Sequence, residues 1–195
     1  MTNEIKIHER KLFENIDYSE KTLRDREFYK CKFVGCSFSK SDLIGNSFED
    51  CTFDKCDFSM AKIKGAGFLN ANFKECKILG VDFSECNKFM FSFSFYNCFL
   101  DYSTFFGTKL MKTKFEKCSL KETDFSEVNL SASIFFDCDL TGARFLNTNL
   151  EKVNFRTANN YSIDPEFNKL KKAKFSAFNL EGLLYKYQLD IDYND

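Results

Sequence analysis

The sequence predicts an all-β fold: a right-handed quadrilateral β-helix followed by a short C-terminal α-helix. Three observations carry that expectation. Large apolar residues recur at every fifth position, a small side chain stands two residues before most of them, and Leu and Phe alternate strictly through the second run.

The first twelve residues are mixed and charged and read as an N-terminal cap segment, 1–12. The repeat then occupies 13–160. Its first run places a large apolar residue at 13, 18, 23 and every fifth position to Phe83 without exception. In a chain that is 44% hydrophobic, such a run is not chance. A period of five fits neither the 3.6 of a helix nor the 2 of a continuous strand. It fits a short extended piece followed by a corner. Residues two apart in an extended piece share a side, so the small residue and the large one after it both face inward. Four such pieces close a square coil of about twenty residues, and coils stack at the spacing of neighbouring strands, about 4.8 Å.

From Leu100 to Phe155, Leu and Phe alternate strictly at every fifth position. On a twenty-residue coil this puts Phe on two opposite walls and Leu on the other two, so that wide and medium side chains share the lumen. The expected core stack includes Phe33, Phe53, Phe73, Phe115, Phe135 and Phe155. Gly35, Gly45, Gly65, Gly80, Gly107 and Gly142 fall mostly at the last position of a unit, where a corner needs unusual dihedrals.

The two runs are out of register, so 84–97 breaks the pattern. Its stretch Phe89-Met90-Phe91-Ser92-Phe93-Ser94-Phe95 reads either as a bulged wall that keeps the core filled or as a loop presenting apolar groups. The bulge is preferred, because rings left in water would form a contact patch.

The solenoid is expected to stop near Asn160, with Pro165 ending ladder pairing. Segment 161–195 is then a cap and dimerisation unit. Ser176 is a plausible N-cap for a helix with Leu180, Leu183, Leu184 and Tyr187 on one face. Leu189 and Ile191 follow in an alternating strand-like stretch ending at Tyr193. An open solenoid end is a sheet edge that needs a cover. The same apolar face, Leu180, Leu183, Leu184, Tyr187, Leu189 and Ile191, is expected to join two copies as a homodimer.

A formal net charge of −1 gives no global field toward nucleic acid or membrane, and no basic stripe marks a direct nucleic-acid binder. No long apolar run or basic-then-apolar leader is present in the sequence, so a cytoplasmic location without membrane contact is expected. The nine Cys fall on the small-residue position or its continuation at Cys86. They recur at spacing twenty as Cys31/Cys51, Cys36/Cys56/Cys76 and Cys98/Cys118/Cys138, and read as small buried hydrophobes. No C-x-x-C pair occurs, and the sole His, His8, lies outside the repeat, so no metal or cofactor is expected. No catalytic constellation is visible and the chain is read as a non-enzyme.

Units such as Ser41-Asp42-Leu43-Ile44-Gly45 and Ala71-Asn72-Phe73-Lys74-Glu75 resemble those of the pentapeptide-repeat family, A(D/N)LXX. The exit and tail are similar to the C-terminal signature of its topoisomerase-protecting members, the Qnr-type quinolone-resistance and albicidin-resistance proteins. The matching pieces are Asn160-Tyr161-Ser162-Ile163-Asp164, Leu170 to Ser176 and Gly182-Leu183-Leu184. Cys76 to Phe83 is similar to the segment that precedes the central irregularity of such proteins. The resemblance implies a rod-like homodimer, joined at its C-termini, that imitates duplex DNA and binds DNA gyrase or topoisomerase IV. The modest acidic runs at Glu49-Asp50 and at Asp124 to Glu127 are the candidate partner contacts. The alternative is a generic repeat scaffold for another protein partner.

Overall fold

The computed structural model describes residues 5–192 and shows a β-solenoid with parallel pairing throughout. Its regular strands are β1 (Lys6–Glu9), β2 (Leu12–Glu14), β3 (Arg26–Tyr29), β4 (Lys32–Val34), β5 (Ser47–Glu49), β6 (Thr52–Asp54), β7 (Gly67–Lys74), β8 (Phe91–Tyr96), β9 (Lys114–Glu116) and β10 (Ile134–Phe136). Taken in chain order, wall A carries β1, β3, β5 and the first part of β7. Wall B carries β2, β4, β6, the end of β7, then β8, β9 and β10. Walls C and D are built from single bridges, such as Ser37↔Asp57 on C and Thr104↔Asp124 on D.

The lumen is filled by the centres of the repeats. On wall B, Phe13, Phe33, Phe53, Phe73, Phe95, Phe115, Phe135, Phe155 and Phe175 form one continuous stack, with centroids 4.7–5.4 Å apart. Wall D answers in the second half with Phe83, Phe105, Phe125 and Phe145, whose rings meet wall B edge-to-face, as in Phe125–Phe135 at 5.7 Å and 85°. Leu100, Leu120, Leu140, Leu110, Leu130 and Leu150 fill walls C and A between them and are fully buried. In the first half the arrangement differs: Phe stands on walls A, B and C, and Leu23, Leu43 and Ile63 stand on D. Wall D gains its rings where walls A and C lose theirs, so the second half alternates two Phe walls with two Leu walls.

Most corner residues are left-handed. Positive φ recurs at five-residue spacing within each run, from Arg10 at 50° to Lys152 at 60°, with Gly at six of these corners. Asp, Asn or Thr two residues ahead of a unit's fourth position often accepts that residue's N–H, as Asp57 does from Ser59 at 2.8 Å and Asn129 from Ser131 at 3.1 Å. The Asp or Asn of the repeat is therefore a local cap on the turn.

Segment 84–97 is a bulged wall. Phe68 pairs with Phe91, but Ala71 pairs with Phe93, so three extra residues enter before β8 and one is given back by a bulge in β7. The net excess of two produces the register change, and the coil resumes with Lys77↔Phe99. Phe93 and Phe95 fill the lumen while Phe89, at the turn, is 96% exposed. Gly67 makes room: a Cβ there would lie 2.9 Å from the Cβ of Met90.

Both ends correct the expected boundaries. His8, read as lying outside the repeat, pairs with Phe28 and stacks on it at 4.9 Å, so the supposed cap segment is already solenoid wall. At the other end pairing continues past Asn160 and Pro165, through Asn149↔Lys169 and Asn154↔Lys174, to Phe175. Pro165 falls in the turn residues 165–167, where no ladder N–H is required. The expected α-helix is 3-10 instead, over Ala177–Leu183 and Tyr185–Tyr187. Ser176 caps it as expected, accepting from the N–H of Phe178. Asn179 leaves helical dihedrals (φ −121°, ψ 18°), and its amide donates to the Ala158 carbonyl at 3.1 Å. That tie to the coil below replaces α-helical continuity. Residues 189–192 form no strand, and Tyr193 lies outside the described residues.

Candidate partner-binding surfaces

A lumen packed with rings leaves the outer walls and the two ends as the surfaces open to a partner. The expected core-stack residues Phe33, Phe53, Phe73, Phe115, Phe135 and Phe155 all stand in the wall B stack. The proposed acidic contacts do not come together. Glu49 and Asp50 lie on wall A and its corner, whereas Asp124 and Glu127 lie on wall D. Asp42, in the same coil as Glu49, stands four coils from Asp124, about 20 Å along the axis. Two of the four are also engaged locally: Asp124 accepts from the N–H of Ser126 at 2.9 Å, and Asp50 from the Asn70 amide at 3.1 Å.

Acids are most frequent on walls C and D, where Asp17, Asp57, Asp101, Asp139, Asp42, Asp82 and Asp124 face outward. Ladder ion pairs offset some of them, among them Lys121–Asp139 at 3.3 Å and Lys40–Glu20 at 3.7 Å. Burial raises the Asp139 carboxyl, but hydrogen bonds from Thr141, Asn160 and Lys121 prevail and hold it at about 2.

Exposed apolar side chains not expected from the sequence stand on walls C and D. Phe99, Tyr102 and Phe106 are exposed at outward positions, and Met60 lies in the same corner column as Tyr102 and across Gly80, whose added Cβ would meet Met60 Sδ at 2.7 Å. The signal was available: these large apolar residues occupy repeat positions that are polar in most units.

The C-terminal segment divides its apolar face in two. Leu183 packs against the core, whereas Leu180, Leu184, Tyr187, Leu189 and Ile191 are exposed. The segment is clamped by the Gly182 carbonyl, which accepts from Ile163 N–H at 2.9 Å, and by Lys186 bridging Asp164 (3.0 Å) and Glu166 (2.8 Å).

The cysteines are all buried and free. Because the irregular coil is two residues longer, Cys76 stacks below Cys98, and the two ladders are one column on wall C: Cys36, Cys56, Cys76, Cys98, Cys118 and Cys138. Thiols in it donate to carbonyls of the preceding coil, as Cys36 does to Phe13 at 3.4 Å and Cys76 to Phe53 at 3.5 Å. Burial pushes the Cys51 thiol up to about 12, far from the thiolate that reactive chemistry needs. Among the described residues no group of three His, Cys, Asp or Glu is placed to hold a metal ion. Among them, too, no helix is long and apolar enough to cross a membrane.

Two family models match the chain: "Pentapeptide repeats (8 copies)" over residues 28–59 and "Pentapeptide repeat region" over 108–184. No curated protein sequence matches it. Its fold is similar to that of a trypsin-treated variant of QnrB1, a plasmid-mediated fluoroquinolone resistance protein, with a TM-score of 0.61 and 17% identity over 97% of this chain and 100% of that one. Full-length QnrB1 gives a TM-score of 0.55 at 17% identity, covering 94% of this chain and 100% of that one. HetL, a pentapeptide repeat protein involved in heterocyst differentiation regulation from the cyanobacterium Nostoc, gives 0.48 at 14% identity, covering 87% and 86%. With the five-residue period, the four-walled coil and these two family matches in place, the chain belongs to the pentapeptide-repeat family.

Proposed function

We propose that this chain is a non-enzymatic, DNA-mimicking rod that binds DNA gyrase or topoisomerase IV as a homodimer and gives resistance or immunity to topoisomerase-targeting antibiotics such as quinolones. One observation carries the reading. The C-terminal residues that resemble those of topoisomerase-protecting members close the last coil and leave Leu180, Leu184, Tyr187, Leu189 and Ile191 exposed. Two rods joined there would form one longer rod with acid-bearing walls C and D along its length. The overlap of 94% of this chain with full-length QnrB1, a fluoroquinolone resistance protein, supports the same reading. Purified chain should change gyrase supercoiling at micromolar concentration, with or without a fluoroquinolone. No effect on gyrase or on topoisomerase IV removes the proposal.

A second reading, a repeat scaffold for a different protein, is favoured by the exposed Met60, Phe99, Tyr102 and Phe106 side chains on walls C and D. Aromatic anchors of this kind dominate protein–protein contacts. A pull-down that enriches another protein and no topoisomerase subunit, and that fails with Tyr102→Ala, would select it.

A further inference from the structure

The lumen is packed along its length except at its N-terminal mouth, which holds a cavity of about 180 Å³. Phe13, Tyr18, Leu23 and Phe28 make its sides. One side is different: wall A contributes Lys6, His8, Arg26 and Asn46. The inward small position of wall A is Ala66, Thr108, Val128, Thr148 or Asn168 in later coils, and the Asn168 amide there donates to the Phe145 and Asp164 carbonyls at 2.9 Å, whereas at the mouth it reads Lys6, Arg26, Asn46.

These polar groups are not self-satisfied. Asn46 is 1% exposed; its Oδ1 accepts from the Arg26 N–H at 2.9 Å, which leaves Nδ2 buried without a partner. His8 is 8% exposed, and neither ring nitrogen has a partner. Among the described residues Lys6, Lys11 and Arg26 have no ion-pair partner. Burial first, then the charges of Lys11, Lys6 and Arg26, lowers the His8 pKa, so positive potential converges on the mouth. Guarding an open sheet end against pairing would explain exposed cations. It does not explain buried donors that lack acceptors.

We propose that the N-terminal mouth of the lumen binds a small organic carboxylate, with its apolar body against Phe13, Tyr18, Leu23 and Phe28 and its carboxylate toward Asn46 Nδ2, His8 and Arg26. The volume suits a single six-membered ring, since a dry protein cavity of about 150 Å³ takes up benzene. The carboxylate supplies the acceptors and the negative charge that this side lacks.

His8 is the only histidine, so its ring resonances are an unambiguous reporter. Titration of the full chain with benzoate should shift them saturably in the millimolar range or below. Benzyl alcohol, of similar size but neutral, should bind about tenfold more weakly, as should benzoate with Arg26→Gln. Leu23→Phe, which copies the Phe83 position of the same wall, should fill the mouth and abolish binding without lowering the melting temperature. No saturable shift, equal affinity for benzyl alcohol, or undiminished binding by a folded Leu23→Phe protein would each overturn the proposal.

Discussion

The corner residue is the unit on which this solenoid turns, and it tolerates side chains at a cost. Gly65 has φ +65° with open space where a Cβ would go. Gly65→Ala should therefore lose only the left-handed strain of an L-residue, about 1 kcal/mol in a denaturant melt. Gly182 is different in kind: its Cβ would lie 2.2 Å from the Tyr161 carbonyl oxygen, which is backbone and cannot step aside. Gly182→Ala should cost more, about 1–3 kcal/mol, and loosen the C-terminal segment. Equal losses for the two would contradict this placement. The acid side is also decided by single residues. The Asp139 carboxyl is held at about 2, below its unfolded value, so it stabilises the fold above pH ~4. That contribution fades as pH falls toward 2. Asp139→Asn should flatten this part of the stability–pH curve, and an unchanged slope between pH ~4 and ~2 would refute the assignment. At this scale the sequence was legible for Gly at corners and for inward Phe. It was silent on His8, because the repeat rule was anchored at Phe13 and a lone imidazole carries no period.

At the scale of the element, the wall B stack shows what the repeat achieves. Phe115 lies between Phe95 at 5.3 Å and Phe135 at 4.8 Å and is fully buried. Phe115→Ala should destabilise by about 3–5 kcal/mol, because neighbours fixed by the ladder cannot collapse into the gap. A melt showing no loss would place that ring outside the lumen. The bulged wall was readable as an excess of two residues between the runs. How the excess is absorbed was not readable, because it depends on Gly67 yielding space to Met90 in the neighbouring coil. The C-terminal element shows the converse: its apolar spacing suits an α-helix, but hydrogen bonds of Asn179 and Gly182 to the coil beneath draw it into 3-10 turns.

For the whole molecule, the ends and the outer walls decide what it does. The nine-ring stack of wall B spans about 40 Å at the spacing of strands. Under the dimer proposal, Leu184→Glu should give a monomer in sedimentation velocity with little change in melting temperature, because Leu183 and not Leu184 packs on the core. A Leu184→Glu dimer as stable as the parent would remove the C-terminal face from assembly.

The sequence by itself determined the period, the inward residues, the corners and the closing of a four-walled coil. All of these are local rules repeated once per unit, and repetition amplifies them above chance. Only the tertiary structure decided where the stack begins and ends, that the two cysteine ladders form one column, and that Glu49 and Asp124 stand on different walls. Those outcomes depend on which coil lies above which. That alignment is set by how the irregular coil absorbs its extra residues and by what remains unstacked at each end, and neither repeats.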